Sequence, residues 1–246
     1  MVETFDHLEP DAILESVIGI RLHPECLPEV FLGKLLGSDA VQALNIERLP
    51  EADIPVSARE NDQNLFHQAT HQLECSEYLL RIGFGHVSFH MTAPYPGWDA
   101  FFERAKEVLT PLLEGAPPAA MSRFGLRYIN ALTVDRHGVR SIEDMNLDVK
   151  IGEKKLVDLA VNFSAEGDDA TETNVRIASA KHVKGELPQD TSFVVDIDVN
   201  KAVDVSTRNI NECWGWLLNA RSIKNQHFFD LLPRHIVNEL RAEGKS

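Results

Sequence analysis

The chain has 246 residues, 43% of them hydrophobic and 25% charged, which suits a globular protein with a sizeable core and argues against wholesale disorder. Its 38 acidic and 24 basic residues leave a formal net charge of −14, the reverse of the basic face that binding to duplex phosphates demands, so nucleic acid is a disfavoured partner. No apolar run reaches the ~18 residues that a membrane span needs, and Cys26, Cys75 and Cys213 are too scattered for a disulfide framework or a zinc ribbon.

The opening MVETFDHLEPDAI is acidic and lacks the basic and apolar segments of a secretory leader. With reduced cysteines, this predicts a soluble, cytoplasmic protein. ILESVIGIRLHP (Ile13–Pro24) is rich in β-branched residues and stops at a proline, which predicts a strand. LPEVFLGKLLG (Leu27–Gly37) places Val30, Phe31, Lys34 and Leu35 at helical spacing between an early Pro28 and a late Gly37. Leu49–Gln63 has no consistent period and reads as a loop. Leu65–Leu73 and Tyr78–Met91 alternate on either side of the short turn ECSE, the pattern of an antiparallel hairpin. Gly83–Gly85, GFG, falls inside the second run and reads as a bulge or a point of close packing.

Ala93–Pro118 holds the clearest helix. Trp98, Phe101, Phe102, Ala105, Val108, Leu109 and Leu112 form one apolar stripe, Asp99 and Glu103 sit near the positive end of the helix dipole, and Pro111 is expected to kink or end the helix. RFGLRYINAL (Arg123–Leu132) then reads as a strand running on to LTVDRHG. NLDVKIGEKKLVDLAVNFSAE, ETNVRIASAKHV and TSFVVDIDVNKAVDV give three or four more strands. RNINECWGWLLNARS puts Ile210, Cys213, Trp214, Leu217 and Leu218 on one helical face, and HFFDLLPRHIVNELR continues as helix around Pro233. Clustered strands with short turns predict an α+β fold, a mainly antiparallel sheet with helices packed on one side. HVSFHM…PYPGWDAFFERAKEVL and FVVDIDV…INECWGWLLNARSI share an order of elements. That order suggests two similar halves, 1–135 and 150–246, joined by a connector at 136–149 and sharing one extended sheet.

Arg123, Gly125, Leu126, Arg127, Tyr128, Ile129 and Asn130, with Pro94, Tyr95, Pro96 and Trp98 before them, carry a resemblance to a known group. In these stretches, and in its order of segments over nearly its whole length, the chain resembles the TIGR04255 family, a sporadically distributed bacterial group with an Arg–x–Gly–Leu–Arg–Tyr–Ile–Asn strand. Leu218–Asn219 stands where similar proteins often carry a Leu–His pair. The resemblance implies a bacterial, cytoplasmic protein and, from the sporadic distribution, a gene context such as a defence system; it implies no particular chemistry.

Strand alternation puts Phe124, Leu126, Tyr128 and Asn130 on one side and Arg123, Gly125, Arg127 and Ile129 on the other. The two guanidinium groups stand roughly 13 Å apart along a strand, too far to clamp one carboxylate but close enough to flank a larger anion or an acidic peptide. Arg123, Arg127, Tyr128, Asn130 and, as a recognition aromatic, Tyr95 are the candidate ligand- or partner-binding residues. Against that stands a purely structural pairing of Arg127 with Asp196 and Asp198, which alternate onto one face of VVDIDV; a catalytic or metal-binding pair is a third reading of those aspartates. His67 and His71, and His86 and His90, share strand faces and are weak metal candidates, with ordinary polar residues at the surface as the plainer reading.

No phosphate loop, dinucleotide fingerprint, zincin motif or nucleophile elbow occurs, and no cofactor is expected. The preferred expectation is a non-enzymatic binding module for a protein partner or a small anionic ligand. The alternative is a hydrolase or nucleotide-processing enzyme of unfamiliar design using Arg, His and Asp residues. A subunit that scaffolds a homo-oligomer is the third option.

Overall fold

The computed structural model describes residues 7–155, 158–204 and 210–240. The acidic start Met1–Asp6, the Leu156–Val157 step of a predicted strand run and the approach 205–209 to the last long helix lie outside them. The elements run β1 (Ile13–Pro24), α1 (Pro28–Leu36), β2 (Asn45–Arg48), α2 (Val56–Glu60), α3 (Gln63–Phe66), β3 (His71–Glu74), β4 (Leu79–Gly83), β5 (His86–Thr92), α4 (Trp98–Glu114) and β6 (Ala119–Thr133). They continue with α5 (Val134–His137), the small hairpin β7 (Lys150–Ile151) and β8 (Lys154–Lys155), β9 (Ala160–Glu166), β10 (Thr171–Ser179), β11 (Thr191–Ala202), α6 (Ile210–Asp230) and α7 (Arg234–Leu240).

One nine-stranded sheet has the order β2-β3-β4-β5-β1-β6-β11-β10-β9. Its neighbours are antiparallel throughout. The fold is therefore α+β. Strands from before and after residue 135 meet where β6 pairs with β11. Ile18, Ile20 and Leu22 of β1, Phe124, Leu126 and Tyr128 of β6, and Val195, Ile197 and Val199 of β11 alternate onto one face and are fully or almost fully buried. Helices α4 and α6 cover that face: Phe101 of α4 meets the Tyr128 ring at 6.1 Å, Phe102 meets Trp214 of α6 at 5.8 Å, and Trp216 meets Phe124 at 6.3 Å. Among the described residues no helix is long and apolar enough to cross a membrane.

The predicted stripe Trp98–Leu112 is buried at every position. Helix α4 passes through Pro111 to Glu114 rather than breaking there, because the missing donor falls in the last turn and releases only the carbonyl of Glu107, an exposed residue. Leu65–Leu73 is not one strand: Asp62 caps α3 by accepting from the Asn64 and Leu65 amides, and only His71–Glu74 pairs with the sheet. GFG turns the chain between β4 and β5 rather than forming a bulge, and it is the expected point of close packing, since a Cβ at Gly83 or Gly85 would run into Gln68 or Phe66. Part of the Leu49–Gln63 loop is helical, as a 3₁₀ turn over Pro50–Asp53 and as α2. Leu218 leaves the predicted buried face of α6 and stands 52% exposed. Phe101 is fully buried among Phe89, Tyr95, Trp98 and Tyr128. Phe101→Ala is expected to cost about 3–5 kcal/mol in urea denaturation, and a loss below 1 kcal/mol would show that this cluster is not the core.

Candidate functional site

The opposite face of the central strands is polar. Register alone places its residues: His86, Arg21 and Arg123 lie side by side across β5, β1 and β6; Ser88, Gly19, Gly125 and Asn200 form the next row out to β11. His90, Val17, Arg127 and Asp198 form the row after that. Gly19 and Gly125 are directly paired, so two adjacent strands present no side chain at the centre of the face. Neighbours lean across the gap. A Cβ at Gly19 would stand 3.9 Å from His86 Cε1, and one at Gly125 would stand 3.1 Å from Arg123 Nη1 and 3.3 Å from Asp198 Oδ1.

Arg127 donates to both oxygens of Asp196, Nε to Oδ1 at 2.7 Å and Nη2 to Oδ2 at 2.6 Å. Its hydrogen bonds to Asp196 hold the guanidinium above its ordinary pKa. The pairing with Asp196 is thus structural, yet the Arg127 side chain stays 47% exposed. It borders a shallow hollow of about 490 Å³ with Asn162, Ser164, Asn174, Arg176 and Asp196. Arg123 reaches along the strand over Gly125 and donates to Asp198 Oδ2 at 2.5 Å.

The remaining candidates lie elsewhere. Tyr128 and Asn130 face the helix side and are 1% and 3% exposed. Tyr128 exchanges a 2.8 Å hydrogen bond with the hydroxyl of Tyr95 and lies under Lys224 Nζ, 4.0 Å from the ring centroid. Asn130 donates to the Val195 carbonyl at 3.1 Å. These three residues therefore brace the core rather than join the arginines on one surface, as the alternation of β6 requires. Asn219, at the position of the resemblance's Leu–His pair, is exposed on α6.

The four histidines do not form one group. His71 is opposite the core residue Ile82 and bonds Thr70 Oγ1 at 2.9 Å. His67, which follows α3 instead of lying in a strand, donates from Nδ1 to the Gly85 carbonyl at 2.7 Å and meets the His23 ring at 5.1 Å. Among the described residues no three His, Cys, Asp or Glu are arranged to hold a metal ion. His86 and His90 do share a face, and Ser88 Oγ bridges them at 2.9 Å from His86 Nε2 and 2.7 Å from His90 Nε2. His90 Nδ1 faces Glu15 Oε1 at 2.8 Å.

Ser88, His90 and Glu15 thus have the connectivity of a hydroxyl, imidazole and carboxylate array. Ser88 is 2% exposed and His90 4%, so no substrate carbon reaches the hydroxyl. The array is a continuous hydrogen-bonded chain from His86 to Glu15. Burial pushes the Glu15 carboxyl up, but the hydrogen bond from His90 and the charges of His90, Arg81 and Arg127 outweigh it and hold the group below its ordinary range. Burial lowers His90 despite Glu15. Burial, with the charges of His90, Arg21, His67 and Arg123 added, lowers His86 to about 3.

Arg21 is the residue that sequence reasoning passed over. It is directly opposite Arg123, a like-charge cross-strand pair that is ordinarily destabilising. The carboxylates of the central strands are engaged elsewhere: Glu15 by His90, Asp196 by Arg127 and Asp198 by Arg123. Among the described residues no carboxylate is within 4.0 Å of a nitrogen of Arg21. Alternation within Ile13–Pro24 places Glu15, Val17, Gly19 and Arg21 on one side; only the register shows that Arg21 meets Arg123. No protein-family model and no curated protein matches the chain.

Proposed function

We propose that the protein is a binding module that takes an anionic group, on a small molecule or an acidic protein partner, on the polar face of its sheet. The observation that carries this reading is the Arg21–Arg123 pair, two guanidinium groups in direct register, of which, among the described residues, only Arg123 is paired, with Asp198 reaching in from β11. Both Arg123 and Asp198 are partly buried, with side chains 22% and 26% exposed, so bulk water screens the excess positive charge incompletely. An arriving oxyanion supplies the missing counter-charge, and guanidinium forks match its geometry.

Thermal denaturation in the presence of phosphate, sulfate, acetate or an oligoglutamate peptide tests the reading. At constant ionic strength at least one of these is expected to raise the Tm of the wild-type chain and not that of Arg21→Gln, since only a ligand that prefers the folded state stabilises it. Equal responses of the two proteins, or none in either, would overturn it.

A further inference from the structure

We propose that the anionic group seated between Arg21 and Arg123 is a terminal phosphate, and that its arrival draws one proton onto His86. The inference rests on the reading of Arg21 and Arg123 as the anion site and adds the ligand class and the coupled proton.

The hydrogen-bond chain fixes where protons sit on this face. Glu15 is ionised and only accepts, so His90 carries its proton on Nδ1 and leaves Nε2 bare. The Ser88 hydroxyl must then donate to His90 Nε2, and Ser88 Oγ must accept from His86 Nε2–H. A neutral His86 has no second proton, so its Nδ1 is a bare lone pair. That atom is buried and has no hydrogen-bond partner. The Nδ2 group of Asn200, a residue only 6% exposed, likewise has none. Buried polar atoms are rarely left unsatisfied. Here two of them flank the Gly19–Gly125 gap, from β5 and from β11, beside the two guanidinium groups.

Donors from several strands suit a tetrahedral oxyanion. One arginine fork satisfies a planar carboxylate. The Arg21 fork, the donors of Arg123 not given to Asp198, and Asn200 Nδ2 instead supply hydrogens from β1, β6 and β11, enough for three terminal oxygens.

Two arginines against Asp198 leave one positive charge, which balances a phosphate monoester only in its monoanionic form. A proton taken up at the bare His86 Nδ1 brings the second into the array. A proton from solution adds to Nδ1, the Nε2 proton passes to Ser88 Oγ, and the Ser88 proton passes to His90 Nε2. One proton enters and none leaves. The charge comes to rest on His90 against Glu15, and His86 now presents an Nδ1–H to the anion. The charged and titratable groups facing His86 are Arg21 from β1, Arg123 from β6, His67 from the segment after α3, and His90 on its own strand. Of the histidines among these only His90 has a carboxylate hydrogen-bonded to it, Glu15, to face the added charge.

Isothermal titration of the full chain with phenyl phosphate at pH 7.5, repeated in buffers of different ionisation heat, counts the protons. The expected result is close to one proton taken up per phosphate bound, falling to near zero in His86→Asn, with binding at least tenfold weaker for benzoate. His67→Asn is expected to keep the uptake. If His86→Asn fails to fold, Ser88→Ala, which removes one oxygen from the chain, is expected to cut the uptake at the same pH. Phosphate binding without proton uptake, uptake that survives in His86→Asn or, where that variant does not fold, in Ser88→Ala, or benzoate binding as tightly as phosphate would overturn the proposal while leaving the anion site standing. Heat from neither ligand, or heat unaffected by Arg21→Gln, would remove the anion site as well.

Discussion

Gly83→Ala is expected to be among the most damaging single-methyl substitutions in the chain, at about 1–3 kcal/mol or more in urea denaturation. A Cβ there would stand 2.2 Å from the Gln68 carbonyl oxygen and 3.2 Å from Ala69 Cα, backbone atoms that cannot rotate away. Thr70 donates to the Ile82 carbonyl at 2.8 Å and His67 Nδ1 to that of Gly85 at 2.7 Å, so the clash unseats the segment that brings His67 to the polar face. Gly33→Ala is the matched control: Gly33 lies inside α1 with nothing within 4 Å of an added Cβ, and alanine there is expected to stabilise by about 0.5–1 kcal/mol. Gly83→Ala with wild-type stability would contradict the packing of the His67 segment.

The second large effect is acid sensitivity. His86 takes up a proton near pH 6.5 when unfolded, but not until about pH 3 in the folded chain. The unfolded state therefore binds more protons throughout that window, and folded stability falls as pH drops, at about 1.4 kcal/mol per pH unit for one such group. Below about pH 3 the two states bind alike and this contribution flattens. His90 and His67, also lowered by burial, push in the same direction. Glu15, held low by His90 and its arginine neighbours, adds stability above the unfolded carboxylate range that is lost as pH falls through its folded value. His86→Asn is expected to be less stable than wild type at pH 7 but to lose stability more gradually between pH 6 and 4, the slope of urea-derived free energy against pH falling by about 1.4 kcal/mol per unit. Parallel slopes in the two proteins would show that His86 titrates normally.

Periodicity was legible where one element buries one face over many residues. The stripe from Trp98 to Leu112 faces the core at each step, and the alternation of β6 separates Arg123 and Arg127 from Tyr128 correctly. It failed where short elements follow one another. Leu65–Leu73 alternates like a strand, but Asp62 caps a helical turn at its start, a local hydrogen bond that outweighs so short an apolar pattern. Leu218 fits the apolar composition of α6, yet it falls where that helix turns away from the sheet.

The site was half legible. The ion pair of Arg127 with Asp196 follows from residue type and alternation on two strands, as do His86 and His90 on one face. Arg21 beside Arg123 does not follow, because it depends on which strand pairs with which and in what register, a long-range fact that β1 does not carry locally. Glu15, Ser88 and Asn200 were missed for the same reason: each has a role only through a neighbour on another strand.

The central claim is that Arg21 is a cation in want of an anion, and opposite substitutions test it in one assay. The dissociation constant for sulfate, measured at fixed ionic strength in Arg21→Ala and Asp198→Asn, is expected to rise about tenfold or more in the first, as the lost charged hydrogen bonds require, and to fall in the second, where a competing carboxylate is gone. Dissociation constants that stay at the wild-type value in both folded variants would contradict the account.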